Sequence, residues 1–150
     1  MSDFLEEIYR THKRVVYALV CAGTHEPLEY YKSLPDQARG RYLNIFLRVC
    51  NLMPLTRDRY HKLTKPHKGK VLDLWEFKDI SSKTRFLSFN DNYQGRAGSE
   101  SRIIITNGYF KNEDDLDPRE IDISLRGQEY YYKRTNMELV DKDNGRKRKG

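Results

Sequence analysis

The apolar run Val15–Cys21 (VVYALVC) constrains this chain most. It is β-branched, preceded by basic residues and followed by the turn-like Gly23-Thr24-His25, and it reads as a buried strand. It falls far short of the roughly 20 apolar residues that a membrane-spanning helix needs, and no other run comes nearer. The chain must therefore assemble its core from several brief elements, and its 150 residues suit one domain. With 37% hydrophobic and 33% charged residues, the expectation is a soluble domain with a modest core. The N-terminus, MSDFLEEIYR, carries acids and lacks an apolar signal core, which predicts a cytoplasmic protein without membrane contact. Cys21 and Cys50 lie in apolar stretches and read as reduced core residues. No C-x-x-C or paired-histidine spacing occurs, so no metal site or cofactor is expected. The net charge of +6 favours polyanionic partners, nucleic acid foremost.

Pro27 opens a short helical segment with Leu28, Tyr30 and Tyr31, and Pro35-Asp36 start a second. In the second, Leu43, Ile45, Phe46, Leu47, Val49 and Cys50 stand close to helical spacing, Arg39, Arg41 and Arg48 fall mostly between them, and Pro54 ends it. Residues 56–70 (TRDRYHKLTKPHKGK) form a basic connector in which Arg57, Arg59, Lys62, Lys65, Lys68 and Lys70 face one acid, Asp58. Strand-like runs follow at Val71–Lys78, Thr84–Phe89 and Arg102–Tyr109, with Asn90–Gly98 as a long hairpin loop. Acids at 113–117 precede Pro118, which suits the first turn of a helix over Arg119–Lys133. The expected organisation is a single domain over 1–135 and a basic, disordered tail over 136–150. In order, the elements read strand, two helices, three strands, helix: an α+β domain with an antiparallel meander.

The passage KPHKGKVLDLWEFKD, KTRFLSF, RIIITNGYFKN and DPREIDISLRGQEYY resembles the phage-associated HigB branch of the RelE/ParE toxin superfamily, over residues 13–133. The resemblance rests on Leu74-Trp75-Glu76-Phe77-Lys78, on Arg85-Phe86, on Gly108-Tyr109-Phe110-Lys111, and on Pro118-Arg119-Glu120-Ile121 with Ser124 and Arg126. Asn112 stands where the branch usually has a second lysine, and Ser124 where it has a small alanine. A tyrosine that RelE carries on its last helix falls here near Ile121, which leaves proton transfer without a clear owner; Tyr109 and Tyr130–Tyr132 are the nearest substitutes. The resemblance implies a RelE-like fold: a small, antiparallel-rich twisted sheet with an N-terminal helical hairpin and a C-terminal helix. It also implies a toxin that cuts messenger RNA, commonly on the ribosome and without a metal. A cognate antitoxin would hold it in check, typically a small helix-turn-helix protein through which alone the pair would reach operator DNA.

The reaction so implied is attack of a ribose 2′-hydroxyl on the adjacent phosphate. Its transition state gathers negative charge that fixed cations stabilise. By motif position Lys78, Arg85 and Lys111 would supply those cations and Glu76 a general base, while Lys65, Lys68, Lys70 and Arg126 would grip RNA. Each position has a structural alternative. Arg85 and Glu76 also suit a cross-strand ion pair, Lys78 an edge-guarding lysine, Lys111 a partner of Asp114 or Asp115, and Trp75 a core residue. His61 and His67 have no evident triad. Two other functions fit the same chain: a gyrase inhibitor of the ParE type that binds without cutting RNA, and an inactive phage-derived relative.

Overall fold

The computed structural model describes residues 4–21, 26–95, 98–111, 116–134, 138–140 and 147–149, the last two segments and Phe4 as backbone only. The chain opens with two strands, β1 (Phe4–Arg10) and β2 (Val15–Val20), paired antiparallel. Two helices follow, α1 (Glu26–Ser33) and α2 (Asp36–Cys50), then β3 (Tyr60–Lys62), β4 (Trp75–Asp79), β5 (Thr84–Gly95) and β6 (Gly98–Phe110). Helix α3 (Pro118–Lys133) and two short strands, β7 (Glu138–Val140) and β8 (Lys147–Lys149), complete it. All strands join one sheet in the order β3-β4-β5-β6-β2-β1-β7-β8. The sheet is mixed: β2 runs parallel to β6, and β1 parallel to β7.

This corrects the expected architecture. No helical hairpin occupies the N-terminus; a strand hairpin does, and the sheet is larger and less purely antiparallel than the RelE-like arrangement implied. The signal for β1 is concealed by its sparse aliphatic residues, and a bulge interrupts it between Glu7 and Tyr9. Leu5 and Ile8 are three residues apart, which resembles helical spacing, but in the strand they serve opposite faces. Leu5 joins the core beneath α3 and Ile8 the core beneath α1 and α2. The expected loop over Asn90–Gly98 is also mostly strand, since β5 runs to Gly95 and β6 starts at Gly98. Conversely, Val71 is 82% exposed and regular pairing in the Val71–Lys78 run starts only at Trp75. The acidic residues 113–115 and Asn112 lie outside the described residues, as does most of the tail, within which β7 and β8 are described.

The sheet separates two cores. On one face α2 buries Tyr42, Ile45, Phe46 and Val49 against Phe77 and Phe86. Phe46 meets Phe77 edge-on at 5.2 Å and Tyr42 meets Phe86 at 5.0 Å, geometries worth about 0.5–1.5 kcal/mol each beyond area burial. Gly108 lets α1 come close, because a Cβ there would collide with Tyr30 and Phe86. On the other face α3 covers Tyr17, Leu74, Phe89 and Ile104 with Ile121 and Tyr131. Asp117 caps α3 by accepting a bond from Arg119 N at 2.9 Å, and Pro118 occupies its first turn. Buried Ser124 exchanges a 2.6 Å hydroxyl bond with Thr106, which accounts for a polar residue where an alanine was expected. Cys21 and Cys50 are both free thiols. Among the described residues, no helix is long and apolar enough to cross a membrane.

Candidate functional site

Strand alternation assigns Phe77 and Asp79 to the face beneath α2, so Glu76 and Lys78 project from the opposite face of β4. Register then brings their neighbours into line. Lys78 stands opposite Arg85 on β5, and Arg85 opposite Tyr109 on β6, while His61 on β3 stands opposite Glu76. Four strands thus deliver Lys78, Arg85, Tyr109, Glu76 and His61 to one patch of one face.

Glu76 is its anchor. It is 2% exposed, and its Oε2 accepts a 2.6 Å bond from the Tyr109 hydroxyl. Its Oε1 lies 3.8 Å from both Lys78 Nζ and His61 Nε2, beyond hydrogen-bond length in each case. Burial, followed by the charge of Glu76, pushes the Tyr109 phenol far above its ordinary pKa, so Tyr109 is a fixed donor. Burial also lowers the Lys78 pKa; Lys111, Arg85 and Arg57 add to that effect and outweigh the opposing pull of Glu76. His61 is held below the ordinary imidazole value by burial and by Lys78 and Arg57, again against Glu76.

The cations are therefore close enough to oppose one another, with Glu76 as the carboxylate at their centre. Arg85 donates through Nη1 to the carbonyls of Thr84 at 2.8 Å and Asp79 at 3.4 Å, but its buried Nε has no partner. The expected alternative of an Arg85–Glu76 ion pair is not formed: Glu76 bonds Tyr109, and Arg85 faces Lys78. Lys111, just past β6, is half-buried and bonds Lys83 O through its backbone amide at 2.8 Å.

The residues expected to grip RNA are not part of this patch. Lys65, Lys68 and Lys70 are exposed in the connector. Lys68 and Gly69 take positive φ (51° and 78°), which closes a tight turn bridging His67 to Lys70. Asp122 on α3 fastens that turn, 2.9 Å from His67 Nε2 and 3.3 Å from Lys68 Nζ. Arg126 is exposed on α3 and lines a cleft of about 410 Å³ with Glu26, Asn107, Glu120 and Tyr130. Trp75 is half-buried and stacks on Tyr60 at 4.9 Å. Ile121, near which the resemblance would put the RelE tyrosine, is a core residue.

Sequence reasoning named Arg57 in the basic connector and weighed His61 without finding it a partner, and held Tyr109 only as a substitute. The spacing of the connector carries no sign that it returns along β4; the pairing of His61 with Glu76 does that. Among the described residues, no group of three or more His, Cys, Asp or Glu side chains is arranged to hold a metal ion. Chemically, the described residues of the patch combine three cations, a buried carboxylate and an imidazole held below its ordinary pKa. It suits a phosphodiester or another multiply charged anion. Comparison with family models and with curated proteins returns no match for this chain.

Proposed function

We propose that this protein is an RNA endonuclease acting as the toxin of a toxin–antitoxin pair in the cytoplasm. It would cut messenger RNA by 2′-hydroxyl attack on the adjacent phosphate, on translating ribosomes. The observation that carries this reading is the convergence of Lys78, Arg85 and Lys111 on one patch, close enough that Arg85 and Lys111 disfavour the charge of Lys78, with Glu76 the carboxylate that faces them among the described residues. Such a cluster costs stability unless an anion joins it, and a phosphorane-like transition state carries more negative charge than the ground-state diester. The motif resemblance to the HigB-type toxins supports the reading through these same side chains. Exposed Lys65 and Lys70 would add salt-sensitive attraction to RNA phosphates. An antitoxin, in this reading a small helix-turn-helix protein, would cover the patch and carry the pair to operator DNA.

The test is induced expression in bacterial cells of the native chain and of a Lys78→Ala/Arg85→Ala/Lys111→Ala variant, with mapping of messenger 5′ ends. Growth arrest with new ends inside translated regions is expected for the native chain, and the variant should lose both. Removing one such charge-stabilising donor typically costs about 10²–10³-fold in rate, so the triple change should abolish detectable cutting. Arrest without new ends would overturn the nuclease and point to a gyrase-type inhibitor. No arrest would mark an inactive relative.

A further inference from the structure

The histidine of β3 has no part in the motif set, yet the fold brings it into the patch. His61 lies in register with Glu76, its Nε2 is 3.8 Å from Glu76 Oε1, and its side chain is 11% exposed. Lys78 Nζ stands at the same 3.8 Å from the same oxygen. Neither separation is a hydrogen bond, and both are spanned by one oxygen atom placed between the groups. Glu76 itself is poorly placed to meet a substrate, since it is almost wholly buried and Tyr109 holds its other oxygen.

We infer that His61 is the general base of the proposed cleavage, with Nε2 taking the proton of a ribose 2′-hydroxyl that enters the gap between His61, Lys78 and Glu76 Oε1. This rests on the nuclease reading above. The 2′ O–H bond breaks as the imidazole lone pair takes its proton, and the freed electron pair forms the 2′-O–P bond. The P–O5′ bond breaks, and the departing oxygen takes a proton from solvent. The products are a 2′,3′-cyclic phosphate and a 5′-hydroxyl end. Glu76 becomes the counter-charge of the imidazolium as it forms, and Tyr109 is a positioning residue that holds Glu76 still. The groups facing His61 are Glu76 and Lys78 from β4 and Arg57 ahead of β3; burial, Lys78 and Arg57 hold the imidazole below its ordinary pKa against the opposing pull of Glu76. A cationic Lys78 beside it is suited to polarise the hydroxyl and to meet charge on the phosphate.

The experiment is single-turnover cleavage of a message on programmed ribosomes by the full chain, by His61→Ala and by His61→Gln, across pH, with melting curves to confirm folding. Cleavage by the native chain should fall as pH drops and the imidazole protonates. Both variants should lose about 10²-fold or more in rate, in line with general-base catalysis, and should lose that acid limb. Imidazole added to the buffer should restore cleavage to His61→Ala and not to His61→Gln, whose side chain fills the space; a purely structural histidine would give no such rescue. Cleavage by folded His61→Ala that matches the native chain, or an acid limb that survives the substitution, overturns the assignment of the base alone. No cleavage by the native chain overturns the nuclease reading, and this inference with it.

Discussion

At the β1–β2–β6 end of the sheet, Arg102 is 3% exposed and fully engaged: it donates to Glu100 at 2.8 Å and to Tyr131 at 3.1 Å, and lies 3.7 Å from the centre of the Tyr93 ring. Glu100 also accepts from Arg10 at 2.9 Å, and Tyr131 donates to Asp91 at 2.5 Å. At the β4–β5 end, residues of the same types meet without that closure. Lys78 stops 3.8 Å from its carboxylate, and the Arg85 Nε is buried without a partner. The first cluster uses its charges to join β1, β2, β6 and α3, and leaves nothing for a ligand. Among the described residues, the second sets more cations than carboxylates in a half-buried place, which is costly in an isolated fold and useful where an anion arrives.

The largest effect expected from this contrast is at Arg102. Arg102→Ala leaves Glu100 and Tyr131 without their shared donor and should cost about 3–5 kcal/mol in urea unfolding. A loss below about 1 kcal/mol would mean that the closed network is not what holds this end together. Tyr109→Phe comes next, because it strips a buried carboxylate of its one short hydrogen bond; a loss of about 1–3 kcal/mol is expected by the same measurement. The Lys78→Ala/Arg85→Ala/Lys111→Ala variant should differ from the native chain by less, within about 1 kcal/mol, since lost packing is offset by relieved repulsion. A large destabilisation would make the open cluster structural after all.

The narrowest effect is confined to acid. Asp79 neighbours Lys78 on β4 but faces α2, where Arg41 donates to both its oxygens at 2.7 and 2.9 Å. Burial pushes the Asp79 pKa up, and Arg41 with Ser82 more than reverses this, so it lies below the ordinary aspartate value. A depressed carboxylate contributes stability that is fully present above its unfolded pKa of 3.8 and is lost as pH falls through the lower native value. Unfolding free energies followed from about pH 5 downward should show that loss in the native chain, and Asp79→Asn should lack its share of it. Equal acid sensitivity in both would assign the slope to other carboxylates.

Much of the local structure was legible in the sequence, for reasons that need no tertiary contact. Val15–Val20 forms a strand because β-branched residues pack well on a pleated surface. Asp117-Pro118 starts α3 because a carboxylate can accept an orphan N–H and proline lacks one. Pro35-Asp36 marks the start of α2, where the Pro35 carbonyl accepts from Arg39 N and no side chain caps the helix. The motif cations Lys78 and Arg85, expected to share a task, are cross-strand neighbours. The opening strand was not legible, because Leu5 and Ile8 stand at a helix-like spacing and the bulge sets Ile8 and Tyr9 toward the same core, which breaks the alternation.

The sequence by itself therefore determined the central strand Val15–Val20, where α2 and α3 begin, and that the chain carries more basic than acidic charge. Only the tertiary structure decided which charges are answered and which are not. Arg102 and Arg85 are both strand arginines, and of the two only Arg102 has an acid, Glu100, two residues away on its own strand. Tertiary packing decides the rest: it adds Tyr93 and Tyr131 to Arg102, and sets Arg85 beside another cation. It also returns His61 from a remote connector to the side of Glu76. Electrostatic surplus arises between strands that are distant along the chain, so it appears only once the sheet has formed.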